Sequence, residues 1–465
     1  MARQRKRRGI SFGTILMLCI TVVVLLGFAV VFPRLGSNRD VIVDTGKALQ
    51  ALSLGELLPE LTLGDIPISQ ANTQQPMTTL EPLPQPAQEN PSAPVVFAPV
   101  NQAAEPTASP APTAVPGGSF TATFGGSIII DGDLRQQHYF SEAKKYDFSD
   151  VLALLRDELS ADFSMVTLEN MIYPDIKLSD VNTTADALPM LSRMGVDAVA
   201  VGYRNAYNQG MAGLSSTVSA VQATGMTALG AYTSENDAAV AGRIMELGGV
   251  KVALLHYVTD ALGDKGRNAM KKDGNSFAVA TDALSDGADV ILRDVAEARK
   301  QGAQVVIVSL NGTASSGKAS ATNKQIAFAQ QLADAGVDLI IGAGSRVVQP
   351  VTWLTGNLAD GSQGKTLCAY SLGTLLNGSR TNSNVAGMLL HLKISYDGQK
   401  VVFDQVSYTP TYIWRFKQDG RYYYRVTPSH QPAPDGMSES QVESMERAFT
   451  NVKKYLGEDT PLVLR

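Results

Sequence analysis

Few residues in this 465-residue chain have the types and spacing to do chemistry. It holds four histidines and two cysteines, which excludes a disulfide scaffold and a Cys-rich zinc module. Segment 312–319, GTASSGKA, has Gly312, Gly317 and Lys318 at P-loop spacing, but Ala319 lacks the hydroxyl that would hold magnesium. The same segment sets Ser315 and Lys318 at the spacing of a serine acyl-enzyme motif without companion motifs. Both features read as a small-residue solvent loop. Glu169 and Asp175 in LENMIYPD offer a carboxylate pair, for which a solvated face is the simpler reading. Asn182-Thr183-Thr184 is a glycosylation sequon, a motif common by chance. His256 and His391 fall in strand patterns and read as packed or hydrogen-bonded residues, and His138 as a surface loop residue.

These residues must be positioned by strands and helices. FTATFGGSIII, FSMVTL (163–168), DAVAVG (197–202), KVALLHYV (251–258), QVVIVSL (304–310) and DLIIG (338–342) are β-rich runs. Helical patterns lie between them; Leu284, Ala288, Ile291, Val295 and Ala298 share one helix face. Gly195, Gly225, Gly302 and Gly336 each stand where a helix must end shortly before a strand. Such alternation implies an α/β domain with considerable parallel sheet. Near the end, MLLHLKISY and KVVFDQVSY flank Asp397-Gly398, a hairpin signal. The later strands are therefore expected to be antiparallel, giving a mixed-sheet α/β sandwich. An amphipathic stretch (Val442, Met445, Ala448, Val452, Leu456) predicts one helix in a C-terminal extension, 429–465.

The N-terminal part is different. Residues 10–32 are 23 residues without a charge, long enough to cross about 30 Å of hydrocarbon as a helix. Arg3, Arg5, Lys6, Arg7 and Arg8 precede them, so the expected orientation keeps the N-terminus cytoplasmic and the rest outside. A cleaved signal peptide is the rival reading, against which the length of the run counts. Cys19 then lies in the membrane and Cys368 has no intrachain partner. A juxtamembrane segment and linker occupy 34–118, and within it residues 81–118 hold ten of the 22 prolines. That composition predicts a disordered, extended stalk. The first 33 residues carry five basic side chains and no acid, so the other 432 sum to −10 against −5 for the whole. An acidic body argues against nucleic acid as a partner.

FTATFGGSIII, VTLENMIYP, MGVDAVAVGYRNAYNQGMAG, VIVSLNG, LADAGVDLIIGAGSRVVQPV, AYSLGTLL and DGRYYYRVTP follow one another in that order over residues 119–428. On these segments the chain resembles the bacterial CapA-type poly-gamma-glutamate capsule synthesis proteins, which are similar in fold to calcineurin-like metallophosphoesterases. The resemblance implies loops after the strands that hold metal ions through Asp, Asn and His. Carried over by position, those ligands are here Ser127, Arg204, Asn205, Asn208, Asn311, Gly344 and Arg346. Only Glu169 keeps the family's identity; Thr167 and Thr374 replace two asparagines. Two-metal chemistry needs anionic and imidazole ligands to offset the repulsion of the ions, and arginine cannot ligate.

The resemblance therefore implies a capsule or cell-envelope polymer synthesis protein on the bacterial plasma membrane, single-pass, with its domain outside. The substitutions predict a site without catalysis, metal or cofactor. Its expected partners, besides the membrane, are an anionic polymer or other capsule-synthesis proteins. Arg204 and Arg346, with Asn205, Asn208 and Asn311, are the expected anion ligands, since guanidinium takes carboxylate or phosphate in bidentate fashion. The alternatives are an active hydrolase, with relocated metal ligands or with Ser315 and Lys318, and a surface scaffold.

Overall fold

The computed structural model describes residues 117–259, 262, 264–282, 284, 287–312, 316–358, 361–381 and 384–465. The expected membrane span, Cys19 and nearly all of the 81–118 segment lie outside the described residues, as does Ser315. Among the described residues no helix is long and apolar enough to cross a membrane.

In chain order the strands are β1 (Gly118–Ile128), β2 (Tyr139–Phe140), β3 (Lys145–Tyr146), β4 (Phe163–Leu168), β5 (Ala198–Ala200), β6 (Thr227–Leu229), β7 (Ile244–Leu247), β8 (Val250–Thr259), β9 (Thr281–Asp282), β10 (Val305–Gly312), β11 (Leu339–Ala343), β12 (Val351–Asn357), β13 (Gln363–Ala369), β14 (Thr374–Leu376), β15 (Ala386–Tyr396), β16 (Val401–Gln418), β17 (Arg421–Pro428) and β18 (Val463–Leu464). The longer helices are α1 (Gly210–Gln222), α2 (Asp289–Lys300), α3 (Asn323–Asp334) and α4 (Glu439–Leu456).

The strands form two mixed sheets. The first runs β17-β16-β15-β1-β4-β5-β6, with β14 beside β1 and β18 beside β16. Its β1-β4-β5-β6 part is parallel, and β15, β16 and β17 are antiparallel. The second runs β12-β13-β11-β10-β8-β7, parallel from β13 to β8 and antiparallel at both ends. Phe120, Ala122 and Phe124 of β1 pack with Val252 and Leu254 of β8 and Ile307 of β10, so the two sheets share one apolar layer. Leu214, Val218 and Val221 of α1 cover the outer face of the first sheet, and Ile291, Val295, Phe328 and Leu332 of α2 and α3 cover that of the second. The product is a mixed α/β sandwich in which period-2 strands bury both faces and each helix buries one stripe.

The hairpin at Asp397-Gly398 forms as its sequence predicts. Asp397 Oδ1 accepts the Gln399 and Lys400 amides, both at 2.9 Å, and Gly398 takes φ 96°. Gly302 and Gly336, past the ends of α2 and α3, both adopt positive φ, the conformation that stops a helix and turns the chain into the next strand. One periodicity ran too far. Leu284 precedes α2, because Gly287 turns the chain at φ 97° and Asp282 Oδ2 accepts the Val290 and Ile291 amides, capping the helix from β9. The C-terminal extension docks: Met445, Ala448, Val452 and Leu456 of α4 are buried in the inter-sheet layer.

Candidate functional site

Parallel strands of both sheets end on the same side of the sandwich, and ligand sites of α/β folds form at such ends. A bulge in β1 between Phe124 and Ser127 shifts its register against β4 and brings Ser127 level with Thr167 and Thr374. Glu169 follows β4 directly. Its Oε1 accepts from Ser127 Oγ at 2.7 Å and from Asn311 Nδ2, at the end of β10, at 3.2 Å. Arg346, in the loop after β11, brings Nη2 to 3.9 Å from Glu169 Oε2. The carboxylate is nearly buried while the guanidinium stays half exposed.

The backbone beneath this cluster is tightly constrained. Gly344 has φ 95°, and a Cβ there would lie 2.3 Å from the Gly312 carbonyl oxygen. Arg346 itself is left-handed at φ 66°, a conformation that costs a non-glycine residue on the order of 1–2 kcal/mol. Neighbouring bonds hold it there. Ser345 Oγ bonds Ser371 Oγ and the Val347 carbonyl, both at 2.7 Å, and Thr374 Oγ1 donates to the Arg346 carbonyl at 2.9 Å.

Tyr203 and His256 complete the surroundings. Tyr203 is buried, and desolvation, followed by the nearby Glu169 charge, pushes its phenol pKa up. His256 is fully buried between Gly202 O at 2.8 Å and Ser309 Oγ at 2.9 Å. A carbonyl only accepts, so Nε2 carries the proton and Nδ1 accepts from the Ser309 hydroxyl. Burial lowers its pKa to about 4, keeping it neutral.

A sequence profile of the bacterial capsule synthesis proteins, PGA_cap, matches residues 121–379, more than half of the chain. The chain belongs to this family. No curated protein matches the sequence. Among solved structures it is similar to the calcineurin-like phosphoesterase YfkN of Bacillus subtilis, with 14% identity, 73% of this chain and 99% of that chain covered, and a TM-score of 0.34. It is also similar to the sulfate thiohydrolase SoxB of Thermus thermophilus, with 15% identity, 69% and 46% covered, and a TM-score of 0.29.

Of the ligand positions carried over from the PGA_cap family, the structure brings together Ser127, Glu169, Asn311 and Arg346. Arg204 and Asn208 are exposed and Asn205 is half-buried in the loop after β5, and none bonds to Glu169. This donor set does not fit a metal pair. Glu169 supplies one carboxylate that already accepts two hydrogen bonds and faces a cation; the other positions are neutral or cationic. Among the described residues no three His, Cys, Asp or Glu side chains cluster as metal ligands would.

The remaining sequence candidates are placed as follows. Lys318 lies five residues before α3, whose capping box (Thr322 and Gln325) starts the helix at Asn323, rather than at the helix start as the lysine of a P-loop does. Asp175 is exposed, whereas the nearly buried Glu169 carboxylate is bonded to Ser127 and Asn311 and faces Arg346. Asn182 of the sequon is fully buried, its amide bonded to the Tyr173, Ile176 and Lys177 carbonyls. His138 is a correction: it is buried, stacked 5.1 Å from Phe148 and bonded to the Asp147 carbonyl, because Phe148, just after β3, and Tyr423 and Tyr424 of β17 enclose its ring. Tyr203 escaped the sequence reading, since nothing in its local pattern marks proximity to Glu169.

Proposed function

We propose that this PGA_cap protein works in capsule or envelope-polymer synthesis as a binding component without hydrolysis, anchored by residues 10–32 with its domain outside the plasma membrane. The single observation that carries the non-catalytic reading is the Glu169 carboxylate, held by Ser127 and Asn311 and facing Arg346 where the family's metals are expected. An internal cation then stands near the former metal position. The half-exposed Arg346 guanidinium has donors left for a carboxylate or phosphate of an anionic polymer.

The test is elemental analysis of the purified full-length protein after dialysis, with a phosphodiesterase assay in added manganese. The reading expects far less than one equivalent of manganese, zinc or iron and no hydrolysis. One or more retained equivalents, with activity lost on chelation, overturns it. The topology is tested separately: protease added to intact cells should cut the 81–118 segment and release the domain, and release only after lysis refutes the orientation.

A further inference from the structure

The end of the first sheet farthest from β6 carries a second concentration of chemistry, separate from the strand-end site. There the β16–β17 hairpin reads Trp414-Arg-Phe-Lys-Gln-Asp-Gly-Arg-Tyr-Tyr-Tyr-Arg425. Its aromatic rings form a continuous series. Trp414 stacks on Phe416 at 4.3 Å between centroids, Phe416 on Tyr423 at 5.7 Å, and Tyr423 meets the edge of His138 at 6.3 Å. The series continues from His138 through Phe148 to Tyr146 and Tyr139 of the β2–β3 hairpin, at 5.1, 6.3 and 5.0 Å. Trp414, His138 and Phe148 are buried, Phe416, Tyr423 and Tyr146 are half-buried and Tyr139 is exposed; Tyr422, outside the series, is exposed as well.

Cations lie over rings on both faces of this edge: the register puts Arg415, Lys417 and Tyr422 on one face of the hairpin and Phe416, Tyr423, Arg421 and Arg425 on the other. Arg415 sits 3.8 Å from the Tyr422 centroid with Lys417 at 5.9 Å, Arg421 lies 4.6 Å over Phe140, and Arg425 lies 5.2 Å over Phe416. Arg421 is further fixed by donating to the Gln137 and Tyr139 carbonyls. Asp150, itself exposed, reaches Arg425 at 3.7 Å, but among the described residues no carboxylate pairs with Arg415, Lys417 or Arg421. Four basic residues against the single acid Asp419 make the hairpin a positive patch on a body that is otherwise acidic.

Each element has a chemical reading. A guanidinium stacked on a ring is held in one plane, and its outward donors meet a carboxylate or phosphate with less loss of side-chain freedom. An exposed ring presents a negative face to weakly positive C–H groups, as on one side of a sugar ring. A polyglutamate chain offers the acid groups but no ring to stack. A nucleic acid offers both, and its binding is the competing outcome that the test must separate. We propose that the β16–β17 edge, with the β2–β3 hairpin beside it, binds an acidic glycan, its sugar rings stacking on the exposed aromatics and its acid groups meeting the stacked arginines and Lys417.

The test measures binding of the full-length protein in detergent to polygalacturonate, neutral dextran, poly-gamma-glutamate and a single-stranded oligonucleotide, at low and moderate salt. Polygalacturonate should bind tightest, and dextran weakest. The exposed double variant Lys417→Gln/Tyr422→Ala should lose at least about tenfold in affinity, the equivalent of one lost cation–π and stacking unit, with its melting temperature unchanged. Arg421→Gln should weaken polygalacturonate more than dextran. Dextran, polyglutamate or oligonucleotide binding as tightly as polygalacturonate, or no loss in the double variant, overturns the proposal. None of these outcomes depends on metal content, so this surface and the strand-end reading fail separately.

Discussion

His256 of the second sheet donates its Nε2 proton to the Gly202 carbonyl of the first, across 2.8 Å. Gly202 opens the loop carrying Arg204, Asn205 and Asn208. Ser309, on the other side of the imidazole, precedes Asn311 by two residues on β10. A single neutral side chain therefore ties together the two sheets behind the candidate site.

That tie makes stability depend on pH. Burial lowers the His256 pKa to about 4 and, together with Arg465, lowers that of His391 to about 3. In the unfolded chain both titrate near the ordinary value of about 6.5. Between the folded and unfolded values the unfolded chain binds more protons, so this stability is complete above about pH 6.5 and is lost as pH falls toward the folded values. Asp197 and Asp338, whose carboxyl pKa values are raised by desolvation, act in the opposite direction. The contribution of His256 is isolated by difference: His256→Gln should show a smaller drop in melting temperature from pH 7 to pH 5 than the parent. An equal or larger drop refutes the tie.

The same contact dictates a glycine. At Gly230, φ is 77°, and a Cβ would lie 2.1 Å from His256 Cδ2. Gly230→Ala should cost more than about 2 kcal/mol, from the clash and the left-handed backbone together. In a His256→Ala background the clash with the ring disappears, leaving the backbone cost and a 3.2 Å approach to Gly202 Cα. A double-mutant cycle by denaturant unfolding should therefore give a coupling of about 1 kcal/mol or more; additive effects would mean that the ring does not touch that position.

What the sequence made legible, and what it did not, follows from range. The runs at 163–168 and 338–342 are strands because short β-branched segments bounded by turn residues have few other uses, and Gly336 marks its helix end through a purely local backbone need. The substituted ligand positions were legible as chemistry: Ser127 and Asn311 do meet Glu169. The non-local parts were hidden. His138 looked exposed because its cover comes from Phe148 and from Tyr423 and Tyr424, much later in the chain. Tyr203 comes near Glu169 only when β4 and β5 pair, and His256 reaches Gly202 only when the two sheets stack. Leu284 kept helical periodicity although Gly287 breaks the helix after it.

At the site, the bonds to Glu169 should rank by burial rather than by formal charge. Ser127 Oγ donates to a nearly buried carboxylate at 2.7 Å, and Ser127→Ala should cost about 1–3 kcal/mol. Arg346 is half exposed at 3.9 Å, so Arg346→Ala should change stability by no more than about 1 kcal/mol. Arg346→Gly, which also relieves the left-handed backbone, should be at least as stable as Arg346→Ala. Thermal melts of the three variants check the order; a larger loss for Arg346→Ala than for Ser127→Ala would show that the ion pair dominates.

The C-terminal extension supplies a last test, because its role rests on one face of one helix. Met445, Ala448, Val452 and Leu456 of α4 are buried against β15 and β16. Beyond the helix, β18 pairs with β16, and the Arg465 amide donates to the Tyr408 carbonyl at 3.0 Å. Arg465 Nε also lies 3.8 Å from Glu158 Oε2, and that carboxylate receives Thr409 Oγ1 at 2.8 Å beside His391. The extension thus closes the core of the first sheet. Leu456→Ala should cost about 2–4 kcal/mol as a large-to-small core change, while Lys453→Ala on the exposed face stays within about 0.5 kcal/mol. Equilibrium unfolding in urea distinguishes them. A Leu456→Ala midpoint equal to that of Lys453→Ala would mean that the extension does not dock in solution, because an undocked helix has no core face to lose.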